Sequence, residues 1–111
     1  MRTYIPEQGD IVSLSFDPQS GHEQKGRRPA MVVSKTLVNK ATGMAIFCPL
    51  TNTDRRMPFH VSVAGRTPLT GFVMCEQIKS LDFRARRAAL IHKAPRSLLD
   101  EVLGIVEASI F

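Results

Sequence analysis

The chain has no tryptophan and only two cysteines in 111 residues. Cys48 and Cys75 lie among apolar neighbours, Ile46-Phe47-Cys48 and Val73-Met74-Cys75, a setting for buried reduced thiols rather than a secreted disulfide framework. A cytoplasmic protein is expected. No apolar run approaches the roughly 18 residues of a membrane span. Met1-Arg2-Thr3-Tyr4-Ile5-Pro6-Glu7 has no signal-peptide core, so neither export nor a membrane anchor is expected. Metal and phosphate motifs are missing as well. His22, His60 and His92 are dispersed, and Cys-x-x-Cys, His-Glu-x-x-His and Gly-x-x-x-x-Gly-Lys do not occur, so no metal and no cofactor are expected. Repeats, low-complexity tracts and linkers are absent too.

What is present is one domain's worth of chain, expected to fold as a single unit over residues 1–111. At this length about two-thirds of the unfolded surface is buried on folding, enough for a real core. Hydrophobic residues at 43% and charged residues at 23% fit a folded globular protein. Fifteen Lys and Arg against ten Asp and Glu leave a formal charge of +5. Such a surplus suits a polyanionic partner, nucleic acid or an acidic protein segment, but it also suits ordinary solubility.

Ile11 to Phe16 alternates apolar Val12, Leu14 and Phe16 with Ser13 and Ser15, the period of a half-buried strand. From Gln19 to Arg28 runs a loop with two glycines, no aliphatic residue and three basic side chains. Pro29 opens a second strand through Val33, nearly continuous in apolar residues and so central. Asn39 to Gly43 reads as a turn, followed by an apolar strand from Met44 to Leu50 that delivers Thr51 at its end. Further strands are expected at Phe59 to Val63, Gly71 to Ile78 and Leu90 to His92, with a basic stretch, Leu81 to Arg87, before the last. After Pro95, Leu98, Leu99, Val102, Leu103, Ile105, Val106 and Ile110 recur at helical spacing. The expected fold is mainly β, a small, strongly curved antiparallel sheet or partly open barrel with a C-terminal helix over one opening.

The most unusual segment is Gly21-His22-Glu23-Gln24-Lys25-Gly26-Arg27-Arg28-Pro29. Read with Gly9-Asp10-Ile11-Val12, Pro49-Leu50-Thr51, Gln77-Ile78-Lys79-Ser80 and Arg84-Ala85-Arg86, it resembles the MazF/PemK family of toxin endoribonucleases. The resemblance runs from Pro6 to the C-terminal helix. It implies an SH3-like barrel of the MazF/Kid/CcdB-like toxin fold, a homodimer and the toxin half of a type II toxin–antitoxin system. It further implies metal-independent, sequence-specific cleavage of single-stranded mRNA, with growth inhibition, and neutralisation by an antitoxin with an acidic C-terminal tail.

RNA can be cut without a metal because its 2′-hydroxyl is a built-in nucleophile beside the scissile phosphate; the protein must orient it, move protons and stabilise an anionic phosphorus. By the resemblance, Arg28 matches the catalytic arginine and Thr51 the catalytic threonine. The guanidinium offers a charged fork for two phosphate oxygens, and the hydroxyl can donate to a third. Glu23 either accepts the 2′-hydroxyl proton or orients Arg28. His22, Gln24, Glu76, Gln77 and Lys79 are expected at the RNA. Phe16 is either a stacking platform or a core aromatic. Arg84 and Arg86 either enlarge the positive field or belong to a solvated turn.

One branch of the family, the PemK/Kid type, uses an acidic residue at the position of Glu76, an arginine two residues earlier and the histidine matching His22. Met74 stands where that arginine would be, which favours the pairing of Arg28 with Thr51. Two alternatives remain, a non-cleaving RNA binder and a protein-binding toxin resembling the CcdB gyrase poison. The latter family acts through a C-terminal Trp-Gly-Ile, whereas this chain ends Ala108-Ser109-Ile110-Phe111.

Overall fold

A computed structural model describes residues 3–16 and 26–111. Its elements run β1 (Asp10–Ser15), β2 (Arg27–Val32), α1 (Thr36–Thr42), β3 (Met44–Thr51), β4 (His60–Ser62), β5 (Phe72–Met74), β6 (Lys79–Asp82), β7 (Ala89–Lys93) and α2 (Arg96–Ile110). The strands form one antiparallel sheet in the order β4-β5-β3-β2-β1-β7, with β6 also pairing β3. The mainly β class and the C-terminal helix are as expected. The strand path is not closed: its end strands β4 and β7 do not pair with each other among the described residues.

Side chains alternate across this sheet and divide the core in two. Ile11, Met31, Cys48, Leu50 and Val73 face α2, whose Leu98, Leu99, Val102 and Val106 bury against them. On the opposite face Val12, Leu14, Ala30, Val32 and Phe47 gather around Phe83. Gly9 allows α2 to approach: at φ 95° it has no Cβ, and one would sit 3.1 Å from Leu99 Cδ2. α2 begins after Pro95, which occupies the N-cap in an extended conformation and provides no side-chain cap.

The structure differs from the sequence reading in four places. The strand expected from Gly71 to Ile78 covers only Phe72–Met74, because a turn closed by the Gln77 N–H on the Met74 carbonyl ends it. The turn expected at Asn39 to Gly43 is the end of helix α1, whose Leu37 is 80% exposed and therefore leaves no apolar stripe. Its organiser is polar: buried Asn39 accepts from Ser34 Oγ at 2.6 Å and donates to the Pro6 carbonyl at 2.8 Å. Part of the basic stretch is a strand, β6, held by pairing of Met44 to Phe47 with Asp82 to Lys79. Finally, β2 starts at Arg27 rather than Pro29, because the hairpin with β1 continues through Leu14–Arg28 to Ser15–Arg27. Arg28 therefore stands on a strand.

Candidate active site

The hairpin register separates two neighbouring arginines. Arg27 takes the parity of Ser13 and is tied down: Nε donates to Ser13 Oγ at 3.0 Å, and Nη2 donates to the carbonyls of Ser13 at 2.7 Å and Arg87 at 2.6 Å. Arg28 takes the parity of Leu14 and Ala30, on the face away from α2, and is exposed. No described residue pairs with its guanidinium. The β2–β3 ladder ends at Ala30–Pro49, and the next positions outward on the same face are Arg28 and Thr51.

Thr51 ends β3 and pairs with Phe72. Its Oγ1 accepts the backbone N–H of Thr53 at 3.2 Å, which leaves the hydroxyl proton available to a ligand. Gly71 holds this strand end close: its φ is 103°, and a Cβ there would lie 2.5 Å from the Thr51 carbonyl oxygen. Only glycine fits without displacing Thr51.

Across the same face, β6 brings Lys79 opposite Phe47. Lys79 Nζ stands 5.8 Å from the centroid of the half-buried Phe16 ring, a cation–π distance. Arg86 acts beneath them, donating from Nη1 to the carbonyls of Ser15 at 3.3 Å and Phe16 at 2.7 Å. Arg86 thus clamps the end of β1, while Arg84 is exposed in the adjoining turn, where its N–H donates to Asp82 Oδ1 at 3.1 Å. The turn after β5 carries Glu76 and Gln77, with Gln77 Nε2 donating to Glu76 Oε2 at 3.4 Å. Glu76 Oε2 also lies 3.2 Å from His60 Nε2. Burial alone raises the Glu76 carboxyl, but hydrogen bonding from the backbone and from His60 outweighs it and leaves the group below the ordinary carboxylate range.

The fold therefore brings Arg28, Thr51, Phe16 and Lys79 onto one face, with Glu76 and Gln77 at its β5 end. His22, Glu23 and Gln24 lie outside the described residues. Three contributors escaped the sequence reading: Arg27, Gly71 and His60. The only hint of His60 was a polar outward position between apolar Phe59 and Val61; its partner is visible only once β4 pairs with β5. Among the described residues no group of three or more His, Cys, Asp and Glu is placed to hold a metal ion. Burial pushes the thiols of both Cys48 and Cys75 up to about 12, so neither is a nucleophile at neutral pH. No helix among the described residues is long and apolar enough to cross a membrane.

Residues 7–110 match the family described as PemK-like, MazF-like toxin of type II toxin–antitoxin system. The chain is 40% identical over 85 residues to the endoribonuclease toxin MazF of Escherichia coli K12, covering 77% of this chain and 76% of that protein. It is 38% identical over 104 residues to the endoribonuclease PemK of Escherichia coli, covering 88% and 77%. A crystal structure of a MazE–MazF complex from Deinococcus radiodurans superposes with a TM-score of 0.83 at 35% identity, covering 96% of this chain and 95% of that one.

Proposed function

The chain belongs to the PemK-like, MazF-like toxins of type II toxin–antitoxin systems and is an endoribonuclease, and from that premise we propose that the open face of its sheet cleaves single-stranded RNA with its own side chains. The observation that carries this reading is the placement of Arg28 and Thr51 at neighbouring positions beyond the Ala30–Pro49 pair. The 2′-hydroxyl attacks the adjacent phosphorus, the P–O5′ bond breaks, and the products are a 2′,3′-cyclic phosphate, opening to a 3′-phosphate, and a 5′-hydroxyl. Arg28 grips two oxygens of the crowded phosphorane as negative charge builds there, and the free proton of Thr51 reaches a third. Glu23 accepts the 2′-hydroxyl proton or orients Arg28.

Phe16 offers a ring for a splayed base, and Lys79 above it supplies charge for the adjoining phosphate. Glu76 and Gln77 read a base edge, His22 and Gln24 contact the RNA strand, and Arg84 adds to the positive field. Arg86 serves through its clamp on Ser15 and Phe16. No metal takes part in this scheme. The protein works in the cytoplasm, where cleavage of mRNA stops translation and growth.

The assembly is a homodimer. In support, Leu37 and Phe111 are 80% and 92% exposed, and an apolar cavity of about 460 Å³ between Val33, Ile46, Leu103, Val106 and Phe111 adjoins the end of α2. Monomeric proteins seldom leave such apolar surface open. The partner that silences the toxin is a cognate antitoxin whose acidic tail covers the basic RNA face, in line with the complexed state of the MazE–MazF relative.

The test is cleavage of one RNA sequence presented single-stranded and again inside a duplex. Cuts at a few defined sites in the single strand and protection in the duplex are expected. Equal cutting of both, or none of either, would overturn the reading.

A further inference from the structure

On the open face His60 has no part of its own in the scheme above, although it is paired with Glu76, which does. His60 begins β4, opposite Met74 of β5. Two residues along, Ser62 faces Phe72, and Phe72 in turn faces Thr51. The imidazole therefore shares the face of Thr51. Its side chain is only 3% exposed, and Nε2 lies 3.2 Å from Glu76 Oε2. Because a carboxylate oxygen only accepts, Nε2 carries the proton and donates it. Glu76 itself stands in a tight turn closed by the Gln77 N–H on the Met74 carbonyl at 3.1 Å.

Two atoms of the pair are left over. His60 Nδ1 and Glu76 Oε1 are both buried and have no hydrogen-bond partner among the described residues. Buried polar atoms are nearly always satisfied, and leaving one unpaired is unfavourable. A pair that keeps two of them fits a site completed by a ligand. The chemistry of that ligand is foreshadowed by Gln77, which is exposed and donates a planar amide N–H to Glu76 Oε2 at a long 3.4 Å. An NH₂ on an sp² carbon is the same donor that adenine, cytosine and guanine present as an exocyclic amine, and uracil has none.

We infer that His60 is a positioning residue that fixes the Glu76 carboxylate as the acceptor for an amino-bearing nucleobase lying beside Thr51, so that the enzyme discriminates against uracil at that position. The inference rests on the reading of the open face as the RNA site. The incoming amine donates to Glu76 Oε1, the oxygen left over, while the buried imidazole on Oε2 keeps the carboxylate from turning away. Hydrogen bonds that outweigh the effect of burial hold Glu76 ionised at neutral pH, as the acceptor role requires.

The experiment maps cut sites in a long RNA for the wild-type chain and for His60→Phe, His60→Gln and Glu76→Gln, with kcat and KM measured on oligonucleotides that vary one base beside the cut. The wild type should disfavour uracil at one position by about tenfold or more. His60→Phe keeps the ring's bulk without a donor and should lose that preference while retaining its rate on other sites. His60→Gln restores an N–H donor and should restore the preference. Glu76→Gln should lose the same preference, and the double variant should discriminate no worse than either single one.

Wild-type preference in both His60→Phe and Glu76→Gln would overturn the inference and leave the RNA reading standing. So would an equal slowing at every site, which marks a structural or chemical role. If His60→Phe does not fold, Glu76→Gln and His60→Gln decide between these outcomes by themselves. Absence of any cleavage by the wild type would overturn the RNA reading and this inference with it.

Discussion

On the face of the sheet under α2, Leu98, Leu99, Val102 and Val106 close over Ile11, Met31, Cys48, Leu50 and Val73. On the other face Val12, Leu14, Ala30, Val32 and Phe47 have Phe83 over them, and toward the strand ends the apolar residues give way to Arg28, Thr51 and Lys79. The strands are shared, so the difference comes from what covers each side. Where a helix covers the sheet, successive inward positions can all be apolar. Where none does, the same alternation delivers charged and hydroxyl side chains to a surface that a polyanion can reach. Arg27 and Arg28 condense this contrast into adjacent residues, one consumed by three hydrogen bonds to its own chain and the other exposed, with no partner among the described residues.

The largest expected effect follows from that pair. Arg28→Lys keeps the charge, so RNA affinity should change little, but lysine cannot reproduce a two-pronged grip. Loss of one such preorganised contact costs about 10² to 10³ in rate, roughly 3 to 4 kcal/mol. Cleavage within about threefold of wild type, or equal losses in binding and rate, would make Arg28 a docking residue. Arg27→Ala should do the reverse. It removes charge-assisted bonds to Ser13 and Arg87, and a destabilisation of about 1.5 to 3 kcal/mol in denaturant unfolding is expected. The folded fraction should keep its turnover. A collapse of kcat with unchanged stability would abolish the distinction between the two arginines.

Gly71→Ala probes how Thr51 is held. The left-handed φ and the 2.5 Å approach to the Thr51 carbonyl together should cost about 1 to 3 kcal/mol of stability, and kcat should fall more than KM rises. A variant with wild-type kcat would show that the Thr51 position tolerates displacement.

The smallest effect is a pH dependence at the β5 end of the open face. Glu76 titrates below its ordinary range when folded, so its contribution to stability is complete above the unfolded carboxylate pKa of about 4.3 and is lost as pH falls through the folded value. Denaturant midpoints of Glu76→Gln and wild type should converge as pH drops below about 4.3 and separate above it. A gap that is constant with pH would remove the link between Glu76 and His60.

Much of this architecture is legible in the residues, and the exceptions share a cause. The stripe from Leu98 to Val106 and the alternation from Val12 to Phe16 are local patterns that report directly on burial. α1 is not legible, because Asn39 organises it through hydrogen bonds to Ser34 and to Pro6, far away in sequence. β6 reads as a charged turn until β3 pairs with it. For the site, the residue types were visible in Arg28, Thr51, Phe16 and Lys79. The division of labour between Arg27 and Arg28 was not, since only strand register decides which arginine faces its own chain. The pairing of His60 with Glu76 likewise exists only across the β4–β5 hairpin and the turn that follows it.

In the proposed scheme the open face cuts RNA with its own side chains and the substrate's 2′-hydroxyl. Incubating the purified chain with a long single-stranded RNA in EDTA, and identifying both new ends at each cut, tests it most directly. Unimpaired cleavage at a few sequences is expected, leaving 2′,3′-cyclic or 3′-phosphate ends and 5′-hydroxyls, with no cutting where the 2′-oxygen is methylated. Cleavage that stops in EDTA and returns with a divalent cation, or that leaves 5′-phosphates, would contradict it.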